Sequence, residues 1–312
     1  SYPYGAKVEI EDFTSQVGGG GVNTACNFAN LGFSTGVIFK IGDDIYSDGI
    51  LESFKDKNID LSNIVQDSTV STGFSIILVS FQGDRTVLAH RGANAQIKKT
   101  DINFEAIKGA KLLYIAPLNG NSTKVLDDIV NFAKENNVKV CFNAGSSSLK
   151  KGFNYLKKIL ENAHVVVLNK EEATMATQIQ VRPDTKDEHF SEELIHPDIK
   201  EMFKKLKVKD YQVIVITDGN NGAYAYDGKS FYFCPVFNGP VTSTLGAGDA
   251  FASTLCAALW KNGPDIGKAL MYASVNSAGV VSKFGATQGL MKFEEIEQKL
   301  KENPNYTYKK DS

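Results

Sequence analysis

The chain is poor in the residues that staple, anchor or metallate a protein. It has four cysteines in 312 residues, Cys26, Cys141, Cys234 and Cys256, and none stands in a C-x-x-C pair. That excludes a disulfide framework and leaves zinc without ligand spacing. The four histidines are scattered and never form H-E-x-x-H. The longest aliphatic run is Val165-Val166-Val167-Leu168, too short to span a bilayer. Net charge is only -2 and no long basic block occurs, so neither nucleic acid nor a membrane surface is an expected partner. The opening Ser1-Tyr2-Pro3-Tyr4 has no charged start leading into an apolar run, so no secretory signal is read there. These scarcities together predict a reduced, cytoplasmic setting.

What is present is a chain 42% hydrophobic, enough for one large core or two smaller ones. Two regions alternate as half-exposed strands do: Lys7 to Phe13, and Thr72 to His90 with a hairpin turn at Gly83-Asp84. They predict a small sheet apart from the main body. From about residue 110 the texture becomes strand, loop, helix. Lys111–Ala116, Lys139–Asn143, Val165–Asn169 and Val213–Thr217 read as buried strands, with helical spacing between them over 123–135, 153–162 and 199–206. Near-continuous aliphatic strands alternating with helices predict an α/β fold, with a central, mostly parallel sheet flanked by helices on both faces. Ligands of such sheets lie beyond the carboxyl ends of the strands, where Asn169 and Thr217 stand. Residues 180–198 are polar and proline-punctuated and read as a mobile insertion. Lys292 to Lys301 reads as a charged helix, and Pro304 to Ser312 as a frayed end.

Four short motifs carry chemistry. Thr244-Leu245-Gly246-Ala247-Gly248-Asp249 precedes a helix-spaced run at Phe251, Leu255 and Leu259. Gly246 and Gly248 allow close approach to the backbone, and a helix N-terminus offers free N–H groups and the positive end of its dipole. A carboxylate beside that anion site is what phosphoryl transfer to an alcohol needs: Asp249 takes the proton while backbone amides hold the transferred charge. Taken alone, the same residues also describe a plain glycine turn with a first-turn acid. Gly18-Gly19-Gly20-Gly21-Val22-Asn23 offers a flat bed for a polyhydroxyl ligand, or a hinge; it lacks the Gly-Lys-Ser/Thr of a P-loop. Asn169-Lys170-Glu171-Glu172 could organise a hydrated Mg²⁺ near phosphates, or simply start a helix through a capping box. Thr217-Asp218-Gly219-Asn220-Asn221-Gly222 could touch a nucleotide, or only turn a hairpin.

In order and spacing these features resemble the ribokinase (PfkB) family of carbohydrate kinases over nearly the whole chain. Gly18-Gly19 through Asn23 and Ala25 resembles the family's G-G-x-x-x-N-x-A. Lys40-Ile41-Gly42-Asp43-Asp44 with Gly49 resembles its G-x-D-x-x-G, and Arg91-Gly92-Ala93-Asn94 its G-A-N segment. Asn169 and Glu172 match N-x-x-E, and Thr244 to Asp249 resembles the end of D-T-x-G-A-G-D. The resemblance implies an ATP-dependent kinase acting on a hydroxyl of a small sugar or sugar-like substrate. Asp249 would be the base, and the backbone of Gly246, Ala247 and Gly248 the anion hole. Gly19, Gly20 and Asn23 would contact the sugar. Asn169 and Glu172 would support nucleotide phosphates and Mg²⁺ through water, and Thr217, Gly219, Asn276 and Gly285 would border ATP. It implies a ribokinase-like fold, with residues 1–20 and 72–92 as a β-lid and 21–71 with 93–312 as the α/β core, and a homodimer through the lid edges.

Two departures qualify this. Ser243 replaces the family's first Asp, which leaves a monovalent cation without its carboxylate. The family's first core strand, with an acidic sugar ligand, is expected outside this sequence, which starts within the lid. A nucleoside kinase of the adenosine type on the same scaffold is the nearest alternative. A non-catalytic sugar- or nucleotide-binding regulator is less consistent with a retained Asp249. A dinucleotide enzyme lacks its G-x-G-x-x-G after a first strand.

Overall fold

The computed structural model describes residues 5, 7, 9–79, 85–183 and 193–311. The first half contains α1 (Gly20–Asn30), β1 (Thr35–Ile41), α2 (Ile45–Ser53), β2 (Ile59–Gln66), β3 (Phe74–Val79), β4 (Arg85–His90), α3 (Phe104–Gly109), β5 (Leu112–Ile115), α4 (Leu126–Glu135) and β6 (Lys139–Asn143). It continues with α5 (Ser146–Leu149), α6 (Phe153–Leu160), β7 (Val165–Asn169), α7 (Lys170–Thr177), α8 (Pro197–Leu206), β8 (Val213–Thr217), β9 (Ala223–Tyr226) and β10 (Phe231–Cys234). Then come α9 (Ala247–Asn262), α10 (Ile266–Val281), α11 (Phe293–Glu302) and β11 (Lys309–Asp311).

The main sheet runs β11-β10-β9-β8-β7-β6-β5. β5 to β8 are parallel, as the aliphatic runs predict, and β7 buries four of its five residues. Burial on both faces is what removes the polar alternation from such strands. β9, β10 and β11 add antiparallel to one edge, so the sheet is mixed. The reversal after β8 uses Gly222 at φ 98, where a Cβ would sit 2.4 Å from the Cys234 carbonyl oxygen; only glycine fits. One face packs under α4, α6, α7 and α8 through Leu126, Leu156, Ile159, Phe203 and Leu206. The opposite face packs under α1, α9, α10 and α11 through Phe28, Leu255, Leu270 and Ile296. Each such side chain contributes roughly 1.5–3 kcal/mol by burial.

β1 and β2 form a separate parallel pair, and β3 and β4 an antiparallel one with Phe74 opposite His90. The foot of the β3–β4 hairpin is pinned to the Gly42-Asp43-Asp44 stretch. Asp44 Oδ1 caps α2, while its Oδ2 accepts the Thr72 N–H at 2.7 Å. The Gly42 N–H donates to Thr72 Oγ1 at 2.9 Å. These donors, Thr72 first among them, hold the Asp44 carboxyl below its ordinary range.

Several expectations need correction. The alternation near Lys7–Phe13 predicts a lid strand, yet the described residues from Glu9 to Gly19 carry none. Ile10 and Phe13 remain 67% and 76% exposed, so the pattern there brings no burial to drive pairing. Among the described residues of the expected lid, only 74–79 and 85–90 are strand, and the turn at Gly83-Asp84 lies outside the described residues. The insertion at 180–198 is pinned at its flanks: Arg182 clasps Asp198 with its Nε and Nη2 at 3.0 and 2.8 Å. Residues 184–192 of it lie outside the description. The expected frayed end instead supplies β11. Tyr306 donates its hydroxyl to the Pro235 carbonyl at 2.7 Å, which anchors that strand's approach.

Candidate active site

The tetraglycine segment is not a loop before a helix. α1 begins at Gly20, so two of the four glycines form its first turn, with Gly19 as N-cap at φ 103. A Cβ built on Gly20 would lie 3.4 Å from Asp249 Oδ1 and 3.4 Å from the Ala116 Cβ, with Pro117 at 3.5 Å. The glycine bed therefore lies directly against the carboxylate and the loop after β5. This is the carboxyl end of the parallel strands, where α/β sheets bind ligands.

Asp249 occupies the first turn of α9. The turn before it depends on Gly246, whose φ of 78 is left-handed and whose Cβ would approach the Ala286 carbonyl oxygen to 2.5 Å. Gly285, at φ 115, precedes Ala286 in the loop after α10 and lies against Gln16. The Ala247 N–H makes a long 3.4 Å bond to the Thr244 carbonyl, while Gly248 is exposed. Helix geometry leaves the amides of this first turn available to an anion.

Asn23 donates from Nδ2 to Asp249 Oδ2 at 2.8 Å. Asn23 is 6% exposed, and its Oδ1 is buried without a partner. An unsatisfied buried acceptor beside a carboxylate calls for a donor from a ligand. Burial raises the Asp249 carboxyl above its ordinary range, and the Asn23 bond partly opposes that. On β5, the Tyr114 hydroxyl is pushed well above its usual range by burial and by the nearby Asp249 charge, so it stays neutral. It accepts a hydrogen bond from Asn143 Nδ2 at 3.3 Å.

Asn169 ends β7 and caps α7. Its Oδ1 accepts the Glu172 N–H at 2.7 Å, and Glu172 Oε2 accepts the Asn169 N–H at 3.0 Å. Both functions weighed for this motif start from this box. It leaves Glu172 with one carboxylate oxygen outside it, on a group whose proton affinity is raised by burial. Among the described residues no cluster of three or more His, Cys, Asp or Glu could hold a metal directly. Glu172 Oε1, outside the capping bonds, is an oxygen of the kind that could hold a water of a hydrated Mg²⁺. Thr217 lies opposite Asn169 in the parallel register, and Lys170 bridges to Asp218 at 2.5 Å. Gly219 at φ 51 is exposed, with nothing within 4 Å of where a Cβ would sit. Asn169, Thr217 and Gly219 thus share the strand ends.

Asn276 does not. It is 0% exposed, and its side chain bonds to Asn27, Thr254 and the Met291 N–H, which places that side chain in the interior between α1, α9 and α10 and not at the strand ends. At the Ser243 position, the hydroxyl accepts the Leu245 N–H at 3.3 Å and offers no carboxylate to a monovalent cation. The sequence reading missed Tyr114, Asn143, Ala116, Pro117 and Asn27. Asn143, at a strand end, was the one with a legible signal.

A doubly covered α/β sheet with a glycine-led helix and an acid at its strand ends is the architecture of the ribokinase-like kinases. The ribokinase of Giardia lamblia superposes with a TM-score of 0.80 at 21% identity, covering 97% of this chain and 94% of that one. The Arabidopsis thaliana ribokinase complexed with ribose and ATP gives 0.77 at 18% identity, covering 96% and 92%. At these identities the likeness speaks for the fold. The chain belongs to the PfkB family: the model of the pfkB family carbohydrate kinases matches residues 1–292. Among curated relatives, a 5-dehydro-2-deoxygluconokinase of Geobacillus thermodenitrificans is 28% identical, covering 93% of this chain and 86% of its own. A ribokinase of Lactococcus lactis is 27% identical, covering 96% and 90%. The protein is accordingly an ATP-dependent carbohydrate kinase.

Proposed function

We propose that this kinase transfers the γ-phosphoryl group of ATP to a hydroxyl of a small sugar or sugar acid, with Asp249 as the general base. The observation that carries this reading is the 2.8 Å bond between Asn23 and Asp249, which joins the glycine bed to the acid at the helix entrance. A carboxyl raised by desolvation is a stronger base than a free one. The acceptor hydroxyl lies against the open Oδ1 side of Asp249, beside Gly20, and a neighbouring hydroxyl donates to Asn23 Oδ1. Asp249 receives the proton as the oxygen attacks phosphorus, and the backbone of Gly246, Ala247 and Gly248 holds the equatorial oxygens.

Asn169 and Glu172 steady the phosphates and the water shell of Mg²⁺, which when bound neutralises charge on the β- and γ-phosphates. Thr217, Gly219 and the loop at Gly285 border the nucleotide. The β3–β4 hairpin closes over the acceptor and keeps water from competing for the phosphoryl group. Its exposed Ile76 and Leu88 suit pairing with a second copy's lid. Ser243 supplies no carboxylate to hold a monovalent cation beside the anion hole.

A coupled ADP-release assay over 5-dehydro-2-deoxygluconate, ribose, fructose and adenosine tests the reading. Saturable turnover with a sugar or sugar acid, lost in Asp249→Asn, supports it. Turnover with adenosine alone would make the enzyme a nucleoside kinase. Equal rates for Asp249→Asn and wild type would remove the base.

A further inference from the structure

α1 and α9 are joined by two rungs. Asn23 and Asn27 lie one turn apart on α1, and Asp249 and Ser253 lie one turn apart on α9. Asn23 Nδ2 reaches Asp249 Oδ2 at 2.8 Å, and Asn27 Nδ2 reaches Ser253 Oγ at 2.7 Å. We propose that Asn27, braced by Asn276, is a positioning residue that fixes the register of α1 against α9 and so delivers Asn23 to the catalytic carboxylate. This rests on the reading of Asp249 as the base.

The second rung is the centre of a closed polar network. Asn27 Nδ2 also donates to Thr254 Oγ1 at 2.8 Å. Asn276, on α10, donates to Asn27 Oδ1 at 3.0 Å and to Thr254 Oγ1 at 2.8 Å, and its own Oδ1 accepts the Met291 N–H at 2.8 Å. Ser253 Oγ in turn donates to the backbone carbonyl of Asp249 at 2.5 Å. Asn27, Ser253, Thr254 and Asn276 are all 0% exposed, and none is left with an orphaned side-chain atom. Apolar side chains would bury as much surface here but would let the helices slide. A satisfied buried network is directional and admits one register.

That register is not set at the other end of α1. Gly19 caps the helix without a side chain, and Cβ atoms built on Gly19 and Gly21 would meet nothing within 4 Å. The glycines that make room for a ligand also give up the packing that would hold the helix start. The grip lies one turn further on, at Asn27. A displacement of about 1 Å at a reacting group costs on the order of 100-fold in rate, so a loosened second rung reads out at the first.

The groups facing Asp249 simplify the pH readout. Asn23 on α1 and Ser277 on α10, which donates to the Ala247 carbonyl, do not titrate in the working range. Tyr114 on β5 stays neutral. The Asn23 bond lowers the Asp249 pKa, so weakening it moves the acid limb of kcat/KM to higher pH.

The test compares wild type, Asn27→Leu, Asn23→Ala, the double variant and Asp249→Asn as full-length proteins. Asn27→Leu is expected to lose about 10- to 100-fold in kcat with unchanged KM for ATP, and to shift the acid limb upward. In the Asn23→Ala background it is expected to add nothing, because both act through one bond. Wild-type kcat and limb in folded Asn27→Leu, or effects that multiply in the double variant, would overturn the proposal. Should Asn27→Leu not fold, Ser253→Ala removes the acceptor of the same rung with a good helix former, and wild-type kinetics there overturn it equally. If Asp249→Asn is inactive while the Asn27 variants behave as wild type, the positioning role alone fails. If Asp249→Asn keeps full turnover, the base fails and the positioning role falls with it.

Discussion

Asn23 and Asp249, 226 positions apart in sequence, meet through a single 2.8 Å hydrogen bond from an amide to a carboxylate that burial has made more basic. The bond leaves Asn23 Oδ1 without a partner and Asp249 Oδ1 beside Gly20. Asp249→Asn keeps the shape and removes the proton acceptor. Its kcat is expected to fall roughly 10²- to 10⁴-fold with little change in ATP affinity, since the carboxylate acts chiefly in the transition state. Steady-state kinetics beside a nucleotide-binding titration check both halves, and a parallel loss of ATP affinity would count against the assignment.

The same substitution should stabilise the protein in a pH-dependent way. Burial raises the Asp249 pKa in the folded state above its unfolded value, so the folded protein holds the proton more tightly. Stability from that preference is present below the unfolded pKa and is lost as pH rises through the folded one. Above the folded pKa wild type therefore carries an ionised, desolvated group that Asp249→Asn lacks. Melting temperatures should be higher for the variant at pH 7.5 and converge with wild type near pH 4. A variant that melts lower at pH 7.5 would contradict the direction.

Gly246 tests the anion hole. At φ 78, with the Ala286 carbonyl oxygen 2.5 Å from where a Cβ would sit, alanine meets both backbone strain and a backbone clash. The strain alone costs about 1–3 kcal/mol. Gly246→Ala is expected to lower Tm and kcat together, because the turn that aims the first-turn amides must shift. Gly263→Ala, also at positive φ but with open space around it and at the far end of α9, should lose stability with kcat largely kept. Differential scanning calorimetry with kinetics on both separates strain from misplacement.

The strands were legible where chemistry is local. Val165 to Asn169 is a continuous aliphatic run ended by a polar residue, and it forms β7 over those very positions, with Asn169 at the strand end. Asp249 was legible because its glycines and its helix are adjacent in sequence. Asn27 and Asn276 were not, since an isolated asparagine in an apolar helical spacing looks the same whether it faces solvent, ligand or another helix. The family resemblance implies that Asn276 borders ATP, and the fold buries its side chain in the interior. The helix start at Gly20 runs against glycine's low propensity, and contact with α9 overrides that weak local preference. β11 is three residues long and pairs with β10 just after the Tyr306–Pro235 bond brings the chain beside that strand.

Gly20 gives the most discriminating prediction about the acceptor. It has an ordinary helical backbone in the first turn of α1, so alanine is allowed there and should stabilise the helix by about 0.5–1 kcal/mol. The added methyl, however, would stand 3.4 Å from Asp249 Oδ1, between that oxygen and Ala116. This is the space assigned to the attacking hydroxyl. Gly20→Ala should melt no lower than wild type, bind ATP normally and lose roughly 10- to 200-fold in kcat/KM for the sugar, the range one misplaced methylene gives in a tight pocket. If the sugar's kcat/KM is unchanged in a stable Gly20→Ala protein, the hydroxyl approaches Asp249 from another side, and the acceptor site must be redrawn around the loop at Ala116 and Pro117.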